Sequence, residues 1–311
     1  MKACWVETKR STTATRHDDP WACVSMNLRN AVHISEILGK MPIITDLASL
    51  TRYYATDYDL IFVGYSTRYS EFKAETKFLL DNRKATLVYV TTDYMNVLPA
   101  SLFYANKPFI HVANYETIPQ SQRGGKWNAR KAFYFKNINA LSISATPPIT
   151  TGGNGAIYYG QYRSGRAEYL RLLNGVDITI STHKSNIEEY AKAGIVPRRY
   201  CDSMSWERGR ETLRRYDASV WFEDTFTHKV YNCPPNRFYE AVSCGVGIAP
   251  HISVENTIKR SGYQVEMWRD VAGIRECAAV NQSRLMEHWR AAISERNEVA
   301  EWIKNYFGGA A

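Results

Sequence analysis

Short runs of β-branched and aromatic residues alternate along most of the chain with stretches of helical periodicity. The runs at 2–7, 42–46, 59–64, 85–91 and 108–113 predict strands, with a further one at 140–145. Between them, 21–39 reads as a helix with Val24, Leu28, Val32, Ile34 and Leu38 on a broad apolar face. A second helix at 69–82 carries Phe72, Phe78, Leu79 and Leu80, and the pattern lapses over 121–136 into a loop or short inserted helix. Residues 146–155, Thr-Pro-Pro-Ile-Thr-Thr-Gly-Gly-Asn-Gly, are uncharged turn formers and read as a linker. The alternation then restarts, with strands at 156–160, 176–181, 217–222 and 246–250. Helices fall at 164–173, 185–193, 205–215 and 236–243, and a long helical tail at about 279–307.

Strand–helix alternation of this kind builds parallel sheets covered by helices. Three segments follow: an N-terminal Rossmann-like domain over 1–150, a second over 151–285, and a C-terminal helix over 286–311 returning to the first. Parallel sheets present ligands at the carboxyl ends of their strands, so both domains are expected to offer loops to a central cleft.

Composition narrows the class. No apolar run approaches the roughly 18–20 residues of a membrane span, and the start, Met1-Lys2-Ala3-Cys4-Trp5-Val6-Glu7, lacks a secretory pattern. Six cysteines, none in CxxC spacing, argue against a zinc ribbon or disulfide scaffold and for reduced thiols in a cytoplasm. Seven scattered histidines show no HxxxH or HExxH spacing, so no metal site is expected.

Charge adds a partner class. Thirty-nine Lys and Arg against 31 Asp and Glu leave a net charge of +8, most of it before residue 150. From Thr117 to Ala167 there is no acidic residue, while Arg123, Lys126, Arg130, Lys131, Lys136, Arg163 and Arg166 fall there. Such a field attracts polyanions, nucleic acid above all; a basic face kept for solubility would read the same way. Arg123, Lys126, Arg130 and Lys131 interleave with Gly124, Gly125 and Trp127, the composition of a loop that tracks a phosphate backbone and offers an aromatic for packing.

Three constellations carry candidate chemistry. At 158–166 the chain reads Tyr-Tyr-Gly-Gln-Tyr-Arg-Ser-Gly-Arg across a strand–helix junction. Gly160 and Gln161 would let the backbone approach an anion at the helix N-terminus. Arg163 and Arg166, three apart, would project to one side as a diphosphate clamp; two surface arginines on a plain turn are the alternative. At 236–245, Arg237 and Glu240 share a helical face, and neither Glu240 nor Arg163 is expected in a core. The carboxylate could accept ribose hydroxyls and the arginine could reach a phosphate, or the two could form a simple i,i+3 pair. Asp93 ends the strand Thr86-Leu87-Val88-Tyr89-Val90-Thr91-Thr92, where an α/β fold presents either a general base or a helix cap.

Together these segments resemble the phage DNA β-glucosyltransferases of the T-even type and, more distantly, CgeB-like members of the GT-B nucleotide-sugar glycosyltransferases. In that family a strand enters Tyr-Gly-Gly-Ser-Phe-Arg-Ser-Gly with a second arginine soon after, and Arg-x-x-Glu opens a late helix, matched by Arg237 and Glu240. Its catalytic Asp ends a strand of the form Tyr-Tyr-Leu-Phe-Thr-Asp, matched by Tyr89-Val90-Thr91-Thr92-Asp93. The matches run in order from about residue 57 to 250. Where the family carries a donor-binding Glu near its first helix, this chain has Ser25-Met26-Asn27. Met95 replaces an arginine, and Asn232 stands at the first position of the E-x7-E pattern.

The resemblance implies an α/β GT-B fold, two Rossmann-like domains facing across a cleft. It implies an inverting transferase moving a hexose, glucose from UDP-glucose, to the hydroxymethyl group of a modified pyrimidine in double-stranded DNA. The acceptor base would be 5-hydroxymethylcytosine or 5-hydroxymethyluracil. Asp93 would be the base, Gly160, Gln161, Arg163, Arg166, Arg237 and Glu240 the donor site, and a divalent ion (Mg or Mn) a stimulant of product release. A flipped base needs a wedge, for which Arg68 and Tyr69 in the loop Ser66-Thr67-Arg68-Tyr69 are candidates. The expected protein is a cytoplasmic monomer, in a host cell if phage-encoded. A protein, polysaccharide or small-molecule acceptor, or a non-catalytic nucleic-acid-binding protein on this scaffold, remain as alternatives.

Overall fold

A computed structural model of the chain describes residues 2–7, 26–39, 41–44, 57–64, 84–91, 109–114, 129–135, 137–150, 152–160, 162–202, 211–224 and 233–308. The predicted helix at 69–82 and most of that at 205–215 lie outside the described residues. The chain packs as two units, Met1–Ser142 with Glu295–Ala311, and Ile143–Ser294.

In the first unit the strands β1 (Ala3–Glu7), β2 (Ile43–Ile44), β3 (Leu60–Gly64), β4 (Thr86–Thr91), β5 (Phe109–Asn114) and β6 (Ala129–Phe135) form a parallel sheet in the order β2-β1-β3-β4-β5-β6. The near-continuous apolar runs of β1, β3 and β4 fit strands covered on both faces. Helix α1 (Met26–Ile37) contributes Ala31, Val32 and Ile34 to a core with Trp5, Phe62, Val88 and Val90. Val299, Ile303 and Phe307 of the C-terminal helix, four apart and so on one helical stripe, close the same core. Phe307 meets Phe62 edge-on at 5.4 Å between ring centroids.

Two expectations for this unit are corrected. Residues 140–145 are not a strand: Ile138–Ser142 is a buried 3-10 turn. Ser142 Oγ donates to the Asn139 carbonyl at 2.7 Å, and such local side-chain bonds compete with a ladder. Residues 129–135, expected in a loop or short helix, are strand β6 paired in parallel with β5. Arg130 and Lys131 broke its apolar alternation, yet a strand at a sheet edge tolerates and even favours such charges.

In the second unit β7 (Ala156–Tyr159), β8 (Ile178–Thr182), β9 (Arg199–Asp202), β10 (Ala218–Trp221) and β11 (Gly247–Pro250) are parallel in the order β11-β10-β7-β8-β9. Numbered within the unit, the order is 3-2-1-4-5 read from β9, the doubly wound order of nucleotide-binding sheets. Helices α2 (Ala167–Leu172), α3 (Ile187–Lys192), α4 (Asn236–Cys244), α5 (Glu255–Ser261) and α6 (Ile274–Ser283) follow. The edge strand β9, absent from the expected elements, is exposed or half-buried along its length and has no apolar alternation to detect.

The proline- and glycine-rich stretch 146–155 belongs to this unit rather than floating between two. A Cβ at Gly245, which caps α4 at φ +77°, would overlap the Ile149 carbonyl, and one at Gly153 would overlap the backbone of Tyr216. The helical tail divides into α6 and α7 (Leu285–Gly308), and α7 passes from the second unit into the first at Ser294/Glu295.

Near its start α7 carries the buried His288, whose Nε2–H donates to the Gln264 carbonyl at 2.8 Å and whose Nδ1 has no partner. Burial holds this imidazole below its ordinary value of 6.5, against smaller opposing contributions from Gln264 and Glu287. The unfolded chain therefore binds the proton more readily, so this contribution to stability is complete above about pH 6.5 and falls as pH drops through the folded value. Melting temperature is expected to decline over that acidic window. His288→Gln, which keeps an N–H donor but cannot protonate, flattens the decline; an unchanged pH profile would show that His288 does not contribute to it.

Candidate anion-binding site at the switch point of the second sheet

In the order 3-2-1-4-5 the chain leaves β7 toward one edge of the sheet and β10 toward the other, so their carboxyl ends flank a crevice. The ladder between them covers Ala218↔Ala156 and Ser219↔Ile157 only, ending two residues short of both strand ends. Buried aromatic side chains pack beside the ends of both strands. Tyr158 stacks on Phe222 at 4.7 Å, and the Arg237 guanidinium lies over the Tyr158 ring at 5.5 Å. Tyr159 O–H donates to the Arg237 carbonyl at 3.0 Å, tying β7 to the first turn of α4.

Four charged side chains meet there. Arg166, 4% exposed, follows β7; Glu223 (4%) and Asp224 follow β10; Arg237 lies in the first turn of α4. Arg166 Nη2 pairs with Glu223 Oε2, and Arg166 Nε lies 3.4 Å from Asp224 Oδ2. Arg237 Nη2 lies 3.4 Å from the other oxygen of Glu223. Burial opposes the charge on Arg237, but Glu223, with Tyr158 and Tyr159, outweighs it and holds the guanidinium above its ordinary value. Arg237 Nη1 is buried without a hydrogen-bond partner.

Local sequence explains the approach of these elements. A Cβ at Gly165 would stand 2.9 Å from Asp224 Cβ, so glycine permits the junction after β7 to close on β10. A Cβ at Gly160 would stand 3.3 Å from Arg237 Nη2. Helix α4 begins after Pro235 with no acidic residue in its first turn, leaving its positive dipole end uncompensated from within the helix.

The sequence-derived candidates fare unequally. Gly160, Arg166, Arg237 and Glu240 are brought to this region. Arg163 and Arg166 are not a matched clamp: Arg163 is exposed at the start of the short 3-10 turn Ser164–Arg166, whereas Arg166 is buried and committed to carboxylates. Glu240 is 2% exposed, in the core where it was not expected. It faces Tyr159, whose hydroxyl is pushed well above its ordinary value first by burial and then by that carboxylate. Arg130 and Lys131 fall in β6. Asp93, Arg68, Tyr69, Arg123, Lys126, Trp127 and Gln161 lie outside the described residues; β4 ends two positions before Asp93. Glu223 and Asp224 were missed, although two carboxylates directly after the apolar run Val220-Trp221-Phe222 mark the carboxyl end of a strand.

Chemically, the arrangement offers a buried guanidinium with an unspent nitrogen, an exposed arginine, a helix N-terminus without an acidic first turn and a buried carboxylate. It suits an anion attached to a hydroxyl-bearing group. Among the described residues no three His, Cys, Asp or Glu side chains are placed to hold a metal, and no helix is long and apolar enough to cross a membrane.

No family model matches the sequence, and no curated protein matches it. Solved structures do match in fold. The T4 phage BGT in complex with UDP and Mn2+ is 11% identical, with a TM-score of 0.63 over 97% of this chain and 99% of that one. A structure of the DNA-modifying enzyme β-glucosyltransferase is 13% identical, TM-score 0.63, over 97% and 99%. An α-glucosyltransferase in complex with UDP-glucose and DNA containing an abasic site is 9% identical, TM-score 0.60, over 98% and 95%. At these identities the likeness establishes the fold, the GT-B arrangement of parallel α/β units, and nothing finer.

The two arginines of the 158–166 segment should separate by stability. Arg166→Met leaves buried carboxylates short of a cation and is expected to cost about 3 kcal/mol, the low end for a broken buried pair because Arg237 still faces Glu223. Arg163→Ala should stay within about 0.5 kcal/mol of the parent. Urea unfolding of both variants checks this, and equal losses would contradict the burial difference.

Proposed function

We propose that this protein is an inverting glycosyltransferase that moves a hexose, glucose from UDP-glucose, to the hydroxymethyl group of a modified pyrimidine in DNA. The observation that carries the reading is the switch point of the second sheet, where Arg237 and Glu240 on α4 meet the glycine-containing end of β7. Arg237 Nη1, the α4 N-terminus and Arg163 are suited to a diphosphate, and Glu240 to the hydroxyls of a ribose. The T4 and α-glucosyltransferase structures of the same fold hold UDP, UDP-glucose and DNA, which supports this donor and this polymer. The acid-free stretch from Thr117 to Ala167 supports a polyanionic acceptor.

In the proposed reaction Asp93, just past β4 in the first unit, takes the proton from the hydroxymethyl oxygen. That oxygen bonds to the anomeric carbon as the bond to the diphosphate breaks on the opposite face, releasing UDP. Guanidinium groups offset the charge that develops on the leaving diphosphate, usually the largest electrostatic contribution in such transfers. Arg166 serves this through its carboxylate partners rather than by direct contact. Arg68 and Tyr69 are proposed to brace the gap left by the rotated base, and Arg123, Lys126, Trp127, Arg130 and Lys131 to follow the backbone. The carboxylates after β10 fit a divalent cation poorly because Glu223 and Asp224 already face guanidiniums, and no step is derived through a metal.

Incubating DNA containing hydroxymethylcytosine or hydroxymethyluracil with a panel of nucleotide sugars, then weighing the digested nucleosides, tests the reading. A hexose on one hydroxymethyl nucleoside, with UDP-glucose as donor, is expected. UDP binding without transfer to either DNA would move the acceptor to another class of molecule.

Two variants separate the roles. Asp93→Asn should lower turnover at least ~100-fold, the low end for a general base, while UDP affinity holds within about twofold. Lys126→Ala with Arg130→Ala should weaken binding to all DNA sequences alike and cut the log–log salt slope by up to ~2. An unaltered slope would make that stretch a solvated face.

A further inference from the structure

Glu223 has no role in proton transfer or ligand contact in the reading above, and its charge works against an anion bound beside it. A buried carboxylate next to a diphosphate site lowers anion affinity, so its presence calls for a different benefit. Its two oxygens are divided between guanidiniums from separate elements, Arg166 of the β7–α2 junction and Arg237 of α4. It thereby ties both sides of the crevice to the end of β10.

The surroundings of Arg237 leave its head group few orientations. Glu223 holds Nη2, the open face of Gly160 lies against the same nitrogen, and the Tyr158 ring lies beneath the guanidinium. Nη1 is buried and has no hydrogen-bond partner.

We propose that Glu223 is a positioning residue that fixes the Nη1 edge of Arg237 toward the diphosphate, giving up anion affinity to obtain that geometry. This rests on the donor-site reading above. The two effects of the carboxylate predict opposite signs. Removing its charge without moving anything would tighten diphosphate binding, because the site becomes more positive. Releasing Arg237 from its brace would weaken it, because the guanidinium no longer presents its free edge and turns away from the buried, less compensated positive charge of Arg166.

Calorimetry with UDP and with uridine on the parent, Glu223→Gln and the double variant Arg166→Met/Glu223→Gln decides between them. Glu223→Gln is expected to weaken UDP about 10- to 100-fold, the worth of a hydrogen bond to a charged group, and to leave uridine within about twofold. The double variant restores the parent net charge without the brace, so UDP should remain weak. UDP binding as tight as the parent or tighter in Glu223→Gln, or full recovery in the double variant, would overturn the proposal and leave Glu223 a purely electrostatic group. If Glu223→Gln fails to fold, the double variant, which removes a cation together with its counter-ion and so tends to keep stability, supplies the deciding affinity. Failure of the parent itself to bind UDP would overturn the donor-site reading instead.

Discussion

The charged centre of the second unit depends on one buried carboxylate, Glu223. Glu223 lies between two guanidiniums that the chain delivers from opposite sides of the sheet centre. None of these groups could be buried alone, because an uncompensated charge in a packed interior costs several kcal/mol. Burying Arg166 requires Glu223 and Asp224 at the end of β10, and burying Arg237 requires the same Glu223. Gly165 is then needed to let the two segments close, since a side chain there would meet Asp224.

The topology explains why this charge cluster falls where it does. Strands β7 and β10 are neighbours that send their helices in opposite directions, and the ladder between them stops two residues early. Backbone groups beyond the last pair need other partners. Nearby, the Tyr159 O–H bond to the Arg237 carbonyl joins β7 to α4, and the Tyr158–Phe222 stack joins β7 to the segment after β10. The apolar contacts there are made by buried rings, and the charged groups come from Arg166, Glu223 and Arg237.

Behind α4 the same helix is held by a ring cluster. Phe238 packs against Trp221, Tyr263 and His288, so the helix that carries Arg237 and Glu240 rests on the start of α7. That helix continues into the core of the first unit through Val299, Ile303 and Phe307. The single histidine in this contact is kept neutral by burial, which links the packing of α4 to pH.

Much of this was legible in the sequence. Apolar runs announced β1, β3, β4, β7, β8 and β10 and the buried edge strand β11, because continuous burial leaves a composition that local reading detects. The fold class followed from their alternation with helices, and Gly160, Arg237 and Glu240 stood out because glycine and charged residues are conspicuous at strand–helix junctions. Strands β6 and β9 were not legible: Arg130 and Lys131 interrupt the apolar pattern of β6, and β9 is exposed or half-buried and keeps no period. Nor was the burial of Arg166 and Glu240. Sequence spacing sets which residues share a helical turn, but whether an arginine meets water or a carboxylate depends on what packs against it from 57 residues away. Only the folded sheet brings Glu223 to that place, and so only tertiary structure could decide that Arg163 of the segment is exposed while Arg166 is buried against carboxylates.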